Sequence, residues 1–180
     1  ISNMHVAMMG LVAEQFVSDL REKTKRGQKG RVLEGKTAGG LAYGYAVGGP
    51  GERSVVEDEA EVVRRIFREF ASGLSPRSIA QGLNLEGIPG PRGRQWKDTT
   101  IRGQRNRGTG VLNNQAYIGK LLYDRTRYRS NPSSKKRVAQ PQTVEDWTTV
   151  DAPELRIVDD DLWQAVKERQ DAVATVMPRD

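Results

Sequence analysis

Apolar residues recur at three- and four-residue steps along the first part of the chain. Met9, Val12, Phe16 and Leu20 form the stripe, with Met4, Met8 and Leu11 beside it. That spacing gathers side chains on one face of a helix, and no proline interrupts it, so residues 1–34 are predicted as one long helix. The period breaks between Gly35 and Gly51, where Gly39-Gly40, Gly44, Gly48-Gly49 and Gly51 make a helix costly. Within that stretch Tyr43, Tyr45 and Val47 alternate, which predicts a strand with Val55-Val56 as its partner.

The helical period returns at Asp58–Ser72. Asp58 is expected to cap this helix with Glu61 at the capping-box position, and Gly73 to end it. Val62, Val63, Ile66, Phe67 and Phe70 give it a wide apolar stripe. A second helix follows, capped by Ser75 with Pro76 in its first turn; Ile79, Ala80 and Leu83 face inward, and Gly87 and Pro89 end it. Two helices joined by Gly73-Leu74-Ser75 make a tight corner, the framework of helix-turn-helix DNA binders. Beyond it, Asp98 or Thr99 is expected to cap a short helix through Thr100, Ile101 and Arg102, and Gly103, Gly108 and Gly110 predict a flexible loop. Leu121-Leu122-Tyr123 reads as a strand, and residues 124–142 as a strand leading into a mobile loop around Asn131-Pro132-Ser133-Ser134. Asp159 caps a last helix, with Leu162, Trp163, Val166 and Val173 on its inner face.

Charge changes the picture. Lys and Arg total 29 against 23 Asp and Glu, a net charge of +6 that favours polyanionic partners. The excess is clustered. Arg21–Lys36 holds seven basic and two acidic residues, and Pro91–Gly110 six basic and one acidic. Lys120–Arg137 holds seven basic and one acidic, whereas Glu145–Asp180 holds ten acidic and four basic. Clustered cations are what phosphate contact needs, because neutralising adjacent phosphates releases condensed counterions. Arginine dominates the second block and suits bidentate contact with guanine edges.

Enzymatic chemistry is hard to place. The chain has no cysteine, which excludes disulfides and cysteine zinc sites and suits a reducing compartment. The one histidine, His5, has no Ser or Cys partner on its helix. Asp159-Asp160-Asp161 suits a helix start better than a metal. The glycines near Gly39 lack the Lys-Ser/Thr ending of a phosphate-binding loop. No apolar run approaches the ~20 residues needed to span a bilayer, and no secretion signal is expected at the start. Residue 1 is Ile, and the chain is expected to begin inside a longer protein. No catalytic residue, metal site or cofactor is therefore assigned.

Several ordered motifs bear a family resemblance. Val62-Val63-Arg64-Arg65-Ile66-Phe67-Arg68-Glu69-Phe70, Gly73-Leu74-Ser75, Ile79-Ala80-Gln81-Gly82-Leu83-Asn84, Gly87-Ile88, then Pro91-Arg92-Gly93 with Trp96, resemble the recombinase domain of large serine recombinases. Val111-Leu112-Asn113-Asn114 followed by Tyr117-Ile118-Gly119 resembles the next signature of that family. Lys23-Thr24 with Gly27, then Gly39-Gly40 and Tyr43-Gly44-Tyr45, resembles the end of the catalytic domain's long helix and the linker after it. The resemblance implies a protein that cuts DNA with a serine in an upstream resolvase-like domain and rejoins the ends after subunit rotation in a tetramer. It implies that the long helix crosses the DNA and supports dimer contacts. The linker would follow the minor groove, and the recombinase domain would read the attachment site. There are departures. Of the arginine and glutamates that many relatives carry midway along the long helix, only Glu14 persists, in Glu14-Gln15-Phe16-Val17. The zinc ribbon of many relatives is excluded by the absence of cysteine, and Arg102–Gly110 looks inserted.

The expected architecture is α+β and mainly helical: a long N-terminal helix, a helix-turn-helix-like domain with a small antiparallel β element, and a C-terminal helix. Residues 1–34 are assigned to the long helix, 35–52 to a glycine-rich linker and 53–180 to the DNA-binding domain. The expected partner is double-stranded DNA, with self-association through the apolar face of the first helix and no membrane. Lys25, Arg26, Lys29 and Arg31 are expected on backbone phosphates, and Lys36 with the Gly39–Tyr45 linker in the minor groove. Arg102, Arg105 and Arg107 are expected on bases or phosphates; Arg92, Arg94, Lys97, Arg125 and Arg127 complete the DNA-contacting set. A cytoplasmic protein of bacterial or phage origin is the expectation. The rival readings are a helix-turn-helix transcriptional regulator and a helical interaction module with incidental charge.

Overall fold

Helix α1 spans Asn3–Leu33 in the computed structural model, which describes residues 3–36, 40–49, 51–123, 125–130, 136–142 and 147–176. Its apolar stripe is bare: Met9 is 70%, Val12 63% and Phe16 68% exposed. Its end meets the rest of the chain, where Val32 is buried and the Tyr123 hydroxyl donates to Gln28 Oε1 at 2.9 Å. Among the described residues no helix is long and apolar enough to cross a membrane.

Strands β1 (Tyr45–Val47) and β2 (Arg53–Val55) pair antiparallel with Tyr45 opposite Val55. Tyr43 and Val56 fall just outside this hairpin, so the alternation predicted a strand one pleat too long at each end. Helix α2 (Glu57–Ala71) buries Ala60, Val63, Ile66, Phe67 and Phe70. Burial of each large apolar side chain contributes about 1.5–3 kcal/mol. Asp58 does not cap it. Val56 occupies the cap position without a side-chain hydrogen bond, and Glu57, Asp58 and Glu59 complement the helix dipole from the first turn. Glu61 turns outward to Arg64 and Arg68 instead of closing a capping box.

Helix α3 (Pro76–Leu85) follows across Gly73–Ser75 and begins as the sequence predicts: the Ser75 side chain accepts from the Ser78 amide at 3.1 Å, and Pro76 fills the first turn. Arg65 ties the two helices, pairing with Glu69 on α2 at 2.6 Å and with Glu86 beyond α3 at 2.6 Å. Helix α4 (Asp98–Arg102) buries Ile101, and neither Asp98 nor Thr99 caps it; Lys97 holds the cap position.

Three antiparallel pairs supply the β content. Besides β1–β2, strand β3 (Lys120–Tyr123) pairs with β6 (Thr148–Asp151), and β4 (Thr126–Ser130) with β5 (Arg137–Pro141). The mobile loop expected around Asn131 lies outside the described residues. Helix α5 (Asp160–Val176) closes the core against α2. Asp159 Oδ1 accepts from the Leu162 amide at 2.7 Å, and Val166 is fully buried. Val173, expected inward, is 48% exposed because α5 has by then run past the core.

The core gathers around Tyr117, which is 1% exposed. Its ring stacks on Tyr45 and meets Phe67 edge-on, and its hydroxyl donates to the Tyr43 carbonyl at 2.9 Å. The Tyr45 hydroxyl sits 2.7 Å from the Ala116 carbonyl and 2.8 Å from that of Leu155. The second half of the glycine-rich stretch is thus built into the core. The architecture is α+β and mainly helical, as expected, with a long first helix, small antiparallel elements and a helix at the end.

Candidate nucleic-acid interface

The three basic segments border one groove of about 580 Å³. The end of α1 supplies Lys36 to its lining, the linker Leu41 and Tyr43, and the chain before α4 Pro91. Helix α4 adds Thr99 and Thr100, the loop after it Gly108 and Thr109, and β3 with its successor Tyr123 and Arg125. Blocks far apart in sequence therefore converge because β3 and α1 pack together and the loop after α4 folds back onto Arg125.

Of the expected DNA-contacting cations, Lys36 and Arg125 line the groove itself, together with Arg53, which sequence reasoning missed. The basic side chains of the three segments fall into two groups. Several are already paired. Lys36 donates to Glu34 at 2.8 Å, which holds the Glu34 carboxyl below its ordinary value. Arg102 lies 3.7 Å from Asp98 one turn back. Arg105 grips Asp171 of α5 with both terminal guanidinium nitrogens, which lowers the Asp171 pKa mainly through that hydrogen bond. Arg125 points inward, donating to the Gly108 carbonyl at 2.7 Å, and burial pushes its pKa down. Arg31 is different: it is exposed, has no acidic partner among the described residues, and lays the end of its side chain beside Gly51.

The other group is exposed and has no acidic partner among the described residues: Arg26, Lys29, Arg92, Arg94, Lys97 and Arg107. Lys25 is exposed on the same helix. The side chain of Arg127 lies outside the described residues. An exposed cation with no carboxylate beside it is the kind that phosphate can neutralise without first breaking an ion pair.

The loop expected to be flexible is closely built. The Gln104 amide donates to the Thr109 carbonyl at 3.2 Å and the Thr109 amide to the Gln104 carbonyl at 3.1 Å, closing a small ring with Arg105–Arg107 at its tip. Gly103 and Gly110 touch backbone to backbone, both at positive φ, and a Cβ on either would collide with the other strand of the loop. Glycine is required at both for that reason. At the centre sits Asn113, 4% exposed. Its amide nitrogen donates to the Arg102 and Thr109 carbonyls at 2.7 and 3.0 Å; its oxygen accepts from Lys167 and Gln170 of α5 at 3.0 and 3.1 Å. Lys167 also donates to the Leu112 carbonyl and lies 4.3 Å from the centre of the Trp163 ring. Its pKa is lowered to about 8, chiefly by burial and then by the like charge of Arg105. Sequence reasoning marked Asn113 only within a motif and gave no role to Lys167 or Arg169. Lys167 reaches back 54 residues to Asn113 and Arg169 99 residues to Phe70, beyond the reach of local patterns.

The family model described as Recombinase matches residues 57–172, from the start of α2 into α5. Among solved structures, the chain is similar to one described as the crystal structure of an LSR–DNA complex, LSR standing for large serine recombinase. The likeness has a TM-score of 0.50 at 16% identity and covers 83% of this chain and 38% of that one, so it speaks for the fold. The match over most of its length shows that the chain belongs to the Recombinase family.

Proposed function

We propose that this chain is the DNA-binding region of a site-specific serine recombinase, which recognises the recombination site and supports dimer assembly. Strand cleavage would reside in an upstream domain. The observation that carries the reading is the convergence of three basic segments on one groove in a chain of the Recombinase family. The likeness to an LSR–DNA complex supports it at the level of fold. Residues 1–34 act as the long helix, 35–52 as the linker and 53–180 as the reading domain, working in the cytoplasm where the DNA is.

The roles divide by chemistry. Lys25, Arg26, Lys29 and Arg31 lie along the last turns of α1 and hold backbone phosphates. Lys36 and the linker follow the minor groove. Arg102, Arg105 and Arg107 flank α4 and meet bases or phosphates, with the corner of α2 and α3 setting the angle in the manner of a helix-turn-helix. The bare stripe of Met9, Val12 and Phe16 is the surface for self-association.

A salt-titrated binding assay tests the proposal. DNA flanking the native gene serves as cognate probe and a shuffled duplex of the same composition as competitor. Cognate DNA is expected to bind at least about tenfold more tightly, with affinity falling steeply as salt rises. Equal affinity for both duplexes, or binding indifferent to salt, would overturn the reading.

A further inference from the structure

The segment Gly90–Arg94 is held in a shape that local sequence preference alone would not choose. Arg92 sits in the left-handed region at φ 61° and ψ 31°, the one non-glycine residue at positive φ among the described residues. Such a conformation costs free energy in a side-chain-bearing residue and persists only where its surroundings impose it. Those surroundings are visible. The Gly90 amide donates to the Arg94 carbonyl at 2.7 Å and the Gly93 amide to the Gly90 carbonyl at 2.9 Å, closing the loop on itself. A Cβ at Gly90 would stand 2.6 Å from the Arg94 carbonyl oxygen and 3.3 Å from the Trp96 ring, so the loop closes only on glycine. Asn84 on α3 bolts the exit, donating to the Trp96 carbonyl at 2.9 Å and accepting from its amide at 2.8 Å. Tyr43 of the linker bolts the entrance, its hydroxyl donating to the Pro89 carbonyl at 3.0 Å while its ring meets that of Trp96 edge-on at 4.9 Å.

The rigid loop presents two exposed arginines one residue apart, and around Gly93, between them, there is open space. From Gly87 to Lys97 the sequence has no Asp or Glu, and the nearest acid upstream, Glu86, is already paired with Arg65. By contrast Arg64, Arg65 and Arg68 of α2 all hold carboxylates. The loop is also joined to the linker through Tyr43, and Pro91 lines the same groove as Leu41 and Lys36.

Resting on the DNA-binding reading above, we infer that Gly90–Arg94 is a preformed two-arginine clip that enters the minor groove of A·T-rich DNA beside the linker. A narrow A·T minor groove concentrates negative potential and draws in guanidinium groups, and the exocyclic amino group of guanine obstructs that approach. A fixed loop with a bare glycine between two arginines fits such a slot and loses little side-chain and backbone freedom on entering it.

The test uses the whole chain and three duplexes of about twenty base pairs. One has an A·T core, one a G·C core, and one an inosine·cytosine core, which offers the minor-groove surface of A·T with the major-groove surface of G·C. The chain is expected to bind the A·T and inosine·cytosine duplexes alike, each about five- to tenfold more tightly than G·C. Arg92→Gly, which removes the guanidinium and suits the left-handed backbone, should raise the thermal midpoint and abolish that preference; Arg94→Ala should also abolish it. Arg26→Ala should weaken all three duplexes equally. Inosine·cytosine binding like G·C would overturn the inference, as would an equal loss on all three duplexes in Arg92→Gly, which marks a plain phosphate contact. Failure of the unaltered chain to bind any duplex would overturn the DNA-binding reading as well.

Discussion

Arg105, at the tip of the loop after α4, is paired with Asp171 on α5 across 66 residues of sequence. The pair is exposed on both sides, so its contribution to stability is small. Its larger effect is on availability. The carboxylate occupies the guanidinium surface that a phosphate or a guanine edge would take.

Replacing Asp171 with Asn should therefore tighten duplex binding about three- to tenfold at moderate salt while shifting stability by less than ~1 kcal/mol. Glu168→Gln, the same charge change on an acid of α5 that pairs with no arginine among the described residues, serves as control. Fluorescence anisotropy across a salt series reads both. Equal gains in the two variants would show a general charge effect and remove the special place of Arg105.

Asn113→Ala should be among the most disruptive substitutions on the surface-facing side of the core. It deprives the carbonyls of Arg102 and Thr109 of a donor and Lys167 and Gln170 of an acceptor. A loss of about 2–4 kcal/mol is expected, measured by urea unfolding. A loss below ~1 kcal/mol would mean that water replaces the side chain and that the loop does not depend on it.

Arg169 closes the end of α2. Its guanidinium donates to the carbonyls of Phe70, Gly73 and Leu74 and lies 4.4 Å from the centre of the Phe70 ring. Arg169→Ala should cost about 2–3 kcal/mol, and Arg169→Lys should recover only part of it, because an ammonium cannot span three carbonyls and stack at once. Full rescue by lysine would reduce the interaction to charge against the helix dipole.

Alkaline pH should unfold the chain through its tyrosines. Burial raises the pKa of Tyr45 and Tyr117 well above the ordinary value and pushes Tyr43 up to about 12. A raised folded-state pKa means the contribution is complete below the unfolded value of about 10 and is lost as pH rises past it, because only the unfolded chain ionises there. Tyrosinate absorbance and loss of helical signal should rise together for three of the five tyrosines. Ionisation of all five with the fold intact would contradict the burial described here.

Self-association is checked by Phe16→Glu. Phe16, Met8, Met9 and Val12 border one apolar hollow on α1, far from the core. Light scattering should show the unaltered chain growing in mass with concentration and the variant remaining a monomer. A strict monomer for both would leave α1 without this role.

What the sequence made legible was local. The Ser75 cap with Pro76, the Asp159 cap and the apolar stripe of α2 are each written within one or two turns, and each is found in place. Caps failed where other partners prevailed: Glu61 is drawn to Arg64 and Arg68 of its own helix, and the start of α2 follows the hairpin, the Val56 amide just beyond β2 donating to the Gly44 carbonyl. For the candidate interface, the basic clusters were legible, but which cations stay unpaired was not. That division depends on where Glu34, Asp98 and Asp171 come to rest, and only the last of these is brought by a distant element.

The contact of Gly103 with Gly110 has an evolutionary corollary. Because the two glycines clasp the base of the loop, Arg105–Arg107 form an outboard cassette whose side chains contribute little to the core. Under the proposed function, substitutions there would vary what the molecule reads while the fold stays unchanged, whereas a single methyl group at either clasp position would disturb the loop that carries them. Diversification aimed at new target sites belongs between the two glycines rather than on them.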